Sequence, residues 1–183
     1  MPKPAVVIRP ARRTDLPALG RLGAALAAAH HAWDPERFFV TPDMHEGYAW
    51  WLGKELGNRR AVILTAARGR RVVGYAYGRL EPRDWNALRD RCGFAIDLIV
   101  EPGARGGGIG RRLVEELFTA LVAKGAPRVV LEAAARNRSA QRLFRGLGFR
   151  ATMVEMAREA PLKASHAPDS NKPSQLRIRR VSP

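Results

Sequence analysis

The chain has 183 residues, 46% of them hydrophobic, which is enough for one domain with a sizeable core. No stretch is long and apolar enough to cross a membrane, Met1-Pro2-Lys3-Pro4 lacks the apolar core of a signal peptide, and the single cysteine, Cys92, excludes an internal disulfide, so a cytoplasmic protein is expected. The net charge of +15 attracts polyanions, but the arginines form no single run with interleaved aromatics, so nucleic acid is not an expected partner.

Val6-Val7-Ile8 reads as a first strand. Thr14 or Asp15 then caps a helix whose apolar face is Leu16, Leu19, Leu22 and Leu26, with Pro17 tolerated in the first turn. Its alanine-rich end delivers His30, His31 and Trp33 to a loop, and a second short helix runs from about residue 44 to 56. The two histidines make no metal site, because no Cys or carboxylate stands at ligand spacing, and no metal is expected. Residues 61–67 and 71–80 are strands joined by Arg68-Gly69-Arg70, a hairpin signal, with Tyr75, Tyr77 and Arg79 on one face by period two. Glu81 ends the second of them, and a polar loop reaches Cys92. Phe94 to Val100 is a short apolar run and reads as a buried strand. Ile109, Leu113, Leu117 and Leu121 recur every fourth residue, an amphipathic helix that stops at Lys124-Gly125. Arg128 to Ala133 is the next strand, and a strand–helix–strand unit of this kind needs a parallel pair. Asn137 opens a last helix, and Phe149 to Met156 reads as a final strand. Residues 1–160 are expected to form the domain, and 161–183, rich in Pro, Ser and Lys/Arg without periodicity, a disordered basic tail.

The stretch between strand and helix carries the chemistry. In Val100-Glu101-Pro102-Gly103-Ala104-Arg105-Gly106-Gly107-Gly108-Ile109-Gly110 four glycines crowd the turn that opens the helix. The first N–H groups of a helix lack partners inside it and carry the positive end of its dipole. Gly106, Gly107, Gly108 and Gly110 can curl those amides inward, and Arg105 and Arg111 add charge at the rim, so a phosphate or pyrophosphate is the natural occupant. No Gly-Lys-Ser/Thr ends the run, which excludes a P-loop, and neither Gly106-x-Gly108 nor Gly108-x-Gly110 is followed by the third glycine of a dinucleotide fingerprint.

What stands there is Arg105-x-x-Gly108-x-Gly110 after Val100-Glu101-Pro102, with Asn137-Arg138-Ser139-Ala140, Leu143-Phe144 and Gly148-Phe149 downstream. In this order and spacing the motifs resemble the GCN5-related N-acetyltransferase (GNAT) family, over roughly residues 5 to 158. The resemblance implies an α/β (α+β) fold: a mixed, mostly antiparallel central sheet with a parallel, splayed strand pair and helices on both faces, the acyl-CoA N-acyltransferase fold. It implies acetyl-CoA as cosubstrate, its pyrophosphate on the glycine loop and its pantetheine arm along Leu98, Ile99 and Val100, where an N–H of Ile99 or Val100 polarises the thioester. Asn137 matches the family position that contacts the cofactor arm, and Phe144 the position next to the thiol. The implied reaction is acetyl transfer to a primary amine of a small-molecule or peptide acceptor, by direct attack through a tetrahedral intermediate. His30, His31 and Trp33 fall in the region that overlies the acceptor. A homodimer stays open, and no membrane partner is expected.

Amine acetylation needs a proton acceptor for the ammonium and donors for the oxyanion. Asp97 is the first choice of base, because it interrupts an apolar strand, where a carboxylate is costly unless paired or solvated. Its segment also resembles the acidic strand of the family's diamine and aminoglycoside acetyltransferases. The plainer reading pairs it with an arginine or a tyrosine hydroxyl. Glu81 is the second choice, and Glu101 and Glu132 are further candidates. The family often has a tyrosine where this chain has Phe144, and that tyrosine protonates the leaving thiolate. Phe144 has no proton to give, which keeps a CoA-binding regulatory module with little turnover as the alternative function. Tyr75 or Tyr77 is a substitute acid, against the plainer reading of packing in the sheet.

Overall fold

A computed structural model of the chain describes residues 4–160. Two units divide after Arg150. The first carries one five-stranded sheet in the order β1 (Val6–Pro10), β2 (Ala61–Arg68), β3 (Arg71–Glu81), β4 (Cys92–Val100), β5 (Val129–Leu131). Neighbours are antiparallel except β4 and β5, which run parallel. This is the mixed, mostly antiparallel sheet the motifs imply.

Two apolar clusters cover the two faces of this sheet. On one face α1 (Leu16–Trp33) and α2 (Met44–Glu55) bury Leu19, Leu22 and Leu52 against Ile63, Tyr75, Tyr77 and Ile99. On the other, α3 (Ile109–Ala123) buries Ile109, Leu113, Leu117 and Leu121 against Val62, Leu64, Ala76 and Val100. Its fourfold spacing thus faces the core and leaves Arg111, Arg112, Glu115 and Glu116 in water. Burying side chains of this size is worth about 1.5–3 kcal/mol each, so the faces rather than helix propensity hold the layers. The last helix, α4 (Arg138–Arg145), lies beside the start of α3, where the Arg111 guanidinium donates to the Gly146 carbonyl at 3.4 Å.

β4 is shaped by a bulge. Its register against β3 steps between Tyr77 and Gly78, which leaves Ile96 unopposed. A Cβ on Gly78 would meet the Phe94 carbonyl oxygen at 2.7 Å, so only glycine lets the strands approach there. Beyond the bulge β4 leaves β5, with which it pairs only from Gly93 to Ala95.

Four local expectations need correction. Asp15 does not cap α1; its carboxylate turns back to accept two bonds from Arg9 (2.7 and 2.9 Å) and one from the Arg12 N–H. The Arg9 guanidinium holds the Asp15 carboxyl below its usual range. His30, His31 and Trp33 stand in the final turn of α1, not in a loop, because the alanine run continues the helix. The strand after α3 is shorter than expected, three residues, since it diverges from β4 at Leu131. No strand forms over 149–156: residues 151–156 are all exposed, so no burial holds the apolar run in an extended register. The described part of the second unit, residues 151–160, is exposed and without helix or strand. The expected tail, 161–183, lies outside the described residues. Among the described residues no helix is long and apolar enough to cross a membrane.

Candidate active site

The divergence of β4 from β5 builds the site. The Glu101 N–H donates to the Val73 carbonyl at 2.8 Å, which makes that pair a hydrogen-bonded one. Such pairs alternate with non-hydrogen-bonded ones in an antiparallel ladder. The backbone groups of Asp97 and Ile99 therefore turn toward β3, and those of Leu98 and Val100 face the edge that β5 has left. Of the three residues expected to meet a cofactor arm through backbone, Leu98 and Val100 present their amides to this edge and Ile99 does not. The Val100 carbonyl is taken by Arg105, whose Nε–H donates to it at 2.9 Å. Arg105 thus clamps the strand end rather than standing free at the rim.

The turn follows directly. A short 3₁₀ segment, Pro102–Ala104, leads through Arg105 to Gly106 and Gly108, at φ +85° and +72°. These are left-handed conformations that glycine adopts without strain. Gly108 is also the N-cap of α3, and it has no side chain to occupy the first amides of the helix. A Cβ placed on Gly106, Gly107 or Gly108 would meet nothing within 4 Å, so the chain itself leaves the space above the turn open. Orphan amides with a helix dipole behind them are what an anion such as a pyrophosphate takes. Arg111, expected at the rim, instead turns its guanidinium to the Gly146 carbonyl and to Glu115 at 3.5 Å. Gly110 packs close to Leu143 of α4. Asn137 caps α4, its Oδ1 accepting from the Ala140 N–H at 3.1 Å, which leaves its amide group to donate. Phe144 is buried and meets Phe149 edge-on at 5.9 Å.

Asp97 sits on the opposite face, under α1 and α2, and is only 7% exposed. No arginine pairs with it among the described residues; the Tyr75 hydroxyl donates to its Oδ2 at 2.9 Å. Burial pushes its carboxyl up to about 6, opposed by the Tyr75 bond and by nearby His30. The His30 Nδ1–H donates to the Leu26 carbonyl (2.9 Å), and its ring meets Trp33 and Phe38 edge-on. Tyr48, packed on Gly23 of α1, feels the same carboxylate, and burial together with Asp97 raises its hydroxyl to about 12. Beside it the Tyr77 hydroxyl donates to Glu55 at 2.7 Å, and Trp51 lies edge-on to the Tyr77 ring. Burial foremost, and then these carboxylates, raise both sheet tyrosines above their usual range. Their protons are committed, which makes them poor replacements for the acid that Phe144 lacks.

Sequence reasoning missed Tyr48, Trp51 and Glu55. Their signal was spacing: with Leu52 they stand at i, i+3, i+4 and i+7 on α2.

The other acids lie elsewhere. Glu81 pairs in register with Cys92, so it stands roughly 16 Å along β4 from Asp97 at about 3.3 Å per residue. Its carboxylate is held by Arg79 at 2.6 Å. The sheet does not bring Asp97 and Glu81 together. Glu101 pairs with Arg71 at 2.7 Å, and Glu132 is exposed beyond β5.

The Tyr75 bond has a measurable consequence. It favours ionised Asp97, so Tyr75→Phe should raise the Asp97 pKa above its present value near 6. If Asp97 must be ionised to work, the acid limb of kcat/KM moves to higher pH, and activity falls more at pH 6 than at pH 8. An acid limb at the same pH in both proteins would separate Asp97 from the reaction.

The profile of the Acetyltransferase (GNAT) family matches residues 25–149. Among curated proteins, the mycothiol acetyltransferase of Streptomyces scabiei is 30% identical over 128 residues, covering 68% of this chain and 36% of that protein. The chain therefore spans about a third of that relative's length. Among solved structures, a tetramutant of the BH1408 protein from Bacillus halodurans is similar with a TM-score of 0.71 at 22% identity, over 85% of this chain and 99% of that one. A predicted acetyltransferase from Clostridium acetobutylicum, solved with acetyl-CoA, is similar with a TM-score of 0.65 at 17% identity, over 84% and 96%. At these identities the two structures share the fold with this chain.

Proposed function

The chain belongs to the acetyltransferase (GNAT) family, and from that premise we propose that it transfers the acetyl group of acetyl-CoA to a primary amine of a small-molecule or peptide acceptor. The observation that carries the reading is the edge of β4 beyond its pairing with β5, set between a glycine turn that leaves the first amides of α3 uncapped and a buried, ionisable Asp97 on the α1–α2 side.

Acetyl-CoA is the cosubstrate. Its pyrophosphate rests on the amides of Ile109, Gly110 and Arg111 above Gly106–Gly108, with the Arg111 side chain adding charge. Its pantetheine arm runs along the edge at Leu98 and Val100, and Asn137 donates to it from the α4 side. One of those two amides polarises the thioester carbonyl and holds the oxyanion that forms there. The acceptor ammonium approaches from the α1–α2 side. Asp97, charged above about pH 6, takes its proton directly or through a water. The free amine nitrogen then bonds to the carbonyl carbon, giving a tetrahedral intermediate. Its collapse breaks the C–S bond and the thiolate leaves, and the proton still on the amide nitrogen passes to that thiolate or to water. A thiol pKa near ~8.5 makes that departure tolerable without a dedicated acid.

A second reading, a CoA-binding regulatory module with little turnover, is favoured by Phe144 and by the committed hydroxyls of Tyr75 and Tyr77. Release of free thiol from acetyl-CoA, with mass detection of the acetylated product, separates the two across polyamines, aminoglycosides, amino acids and peptide N-termini. Amine-dependent thiol matched by product supports transfer. Tight acetyl-CoA binding with thiol release no faster than the buffer blank for every amine supports the module.

A further inference from the structure

The end of the sheet opposite the phosphate turn carries a second constructed surface. The loop from Pro82 to Arg91 is closed by an isolated antiparallel bridge between Asp84 and Arg89. Asp84 and Arg89 exchange backbone hydrogen bonds at 2.8 and 2.9 Å, the Asp84 carboxylate accepts from the Asn86 and Ala87 N–H groups, and Arg83 pairs with Asp90. All this order displays two apolar side chains outward: Trp85 is 75% exposed and Leu88 is 89% exposed. Leu88 holds φ at +49°, a left-handed conformation that a bulky residue adopts only at a cost, and the cost here places its side chain in water.

Cationic side chains stand at the roots of this loop. Between the roots of the loop lies a cavity of about 210 Å³ lined by Arg60, Arg91 and Lys124 over Cys92 and Pro127. The acids of this end are already matched: Glu81 to Arg79, Asp90 to Arg83, Asp84 to Arg89. Among the described residues, Arg60, Arg91 and Lys124 have no carboxylate at ion-pair distance. A second copy of a chain with net charge +15 is a poor occupant for so basic a surface.

Against the expectation of no membrane partner, we propose that this end of the sheet docks on the anionic phosphate headgroups of a lipid bilayer without crossing it, with Trp85 and Leu88 entering the interface and Arg60, Arg91 and Lys124 meeting the headgroups. The shape favours a bilayer over a nucleic acid. Leu88, the more exposed of the two, has no flat face for a base, whereas a convex Trp–Leu tip buries both side chains in a soft apolar boundary. Three cations at about 1 kcal/mol each add to the burial of two apolar side chains, which suits reversible rather than permanent attachment. The cofactor turn lies at the far end of β4, so docking leaves it open.

Flotation of the full chain with vesicles is the test, comparing pure phosphatidylcholine with a mixture containing roughly one third phosphatidylserine. Binding should be about tenfold or more tighter to the anionic vesicles and weaken as salt rises. Trp85→Ala with Leu88→Gly should abolish it; the glycine keeps the left-handed turn without strain, and an unchanged thermal shift with acetyl-CoA shows that the fold is intact. Arg60→Glu with Lys124→Glu should remove the preference for anionic lipid. No binding, equal binding to neutral vesicles, or binding that survives the tip substitutions overturns the proposal. Tighter binding to duplex DNA than to vesicles, lost in the same variants, also overturns it and reassigns the surface.

Discussion

Asp97→Asn should leave a more stable protein that has lost its chemistry. A carboxyl raised from its ordinary 3.8 to about 6 binds its proton more tightly folded than unfolded. Its favourable contribution is therefore present below the ordinary carboxylate range and lost as pH rises through about 6. Above that pH the buried charge costs the fold on the order of 3 kcal/mol, two units at about 1.4 kcal/mol each. Asparagine removes the charge and still accepts the Tyr75 O–H. The melting temperature should rise at pH 7 and change little at pH 4, while turnover falls by about 10² or more, the usual scale for a positioned base. Acetyl-CoA affinity should hold. Full activity in this variant would make Asp97 a scaffold residue. The search would then move to Glu55, the acid on the same face, and not to Glu81 at the other end of β4.

Gly108→Asp should separate cofactor binding from folding in the opposite sense. A Cβ there has open space, so the fold bears only the backbone cost of a left-handed aspartate, which that residue tolerates better than most. The new carboxylate, however, lies over the orphan amides of α3 and repels the pyrophosphate. Losing one charge-assisted bond of about 1.5–3 kcal/mol weakens acetyl-CoA binding about ten- to a hundredfold. Arg105→Glu should act by a different route, releasing the Val100 carbonyl and loosening the strand edge. Calorimetry reads both, and unchanged affinity in both variants would remove the phosphate role from this turn.

The strand–turn–helix unit was legible because local rules decide it. Ile109, Leu113, Leu117 and Leu121 announce their buried face by period, and glycine at 106 and 108 announces positive φ. Asp97 was legible as an acid in an apolar strand. What answers that acid was not: Tyr75 lies 22 positions away and meets it only through the register of β3 on β4. The same register sends Glu81 away: although it follows Tyr77 on the same strand, it pairs with Cys92 at the start of β4. The bulge at Ile96 inverts which amides face outward, so Ile99 and Val100 could not be told apart by counting. The strand over 149–156 failed because apolar residues such as Met153 and Val154 say nothing about whether a partner strand exists beside them.

The edge of β4 is the centre of this account, and amide hydrogen exchange on acetyl-CoA binding tests it without knowledge of the acceptor. Resolved residue by residue, exchange at Leu98 and Val100 should slow markedly at saturating acetyl-CoA, together with Ile109, Gly110 and Arg111 at the start of α3. Ile99, already turned into the ladder with Tyr75, should change least of the three strand residues. Saturated binding with Leu98 and Val100 exchanging at their unliganded rates would contradict the account, because the cofactor would then lie somewhere other than the edge that β5 leaves open.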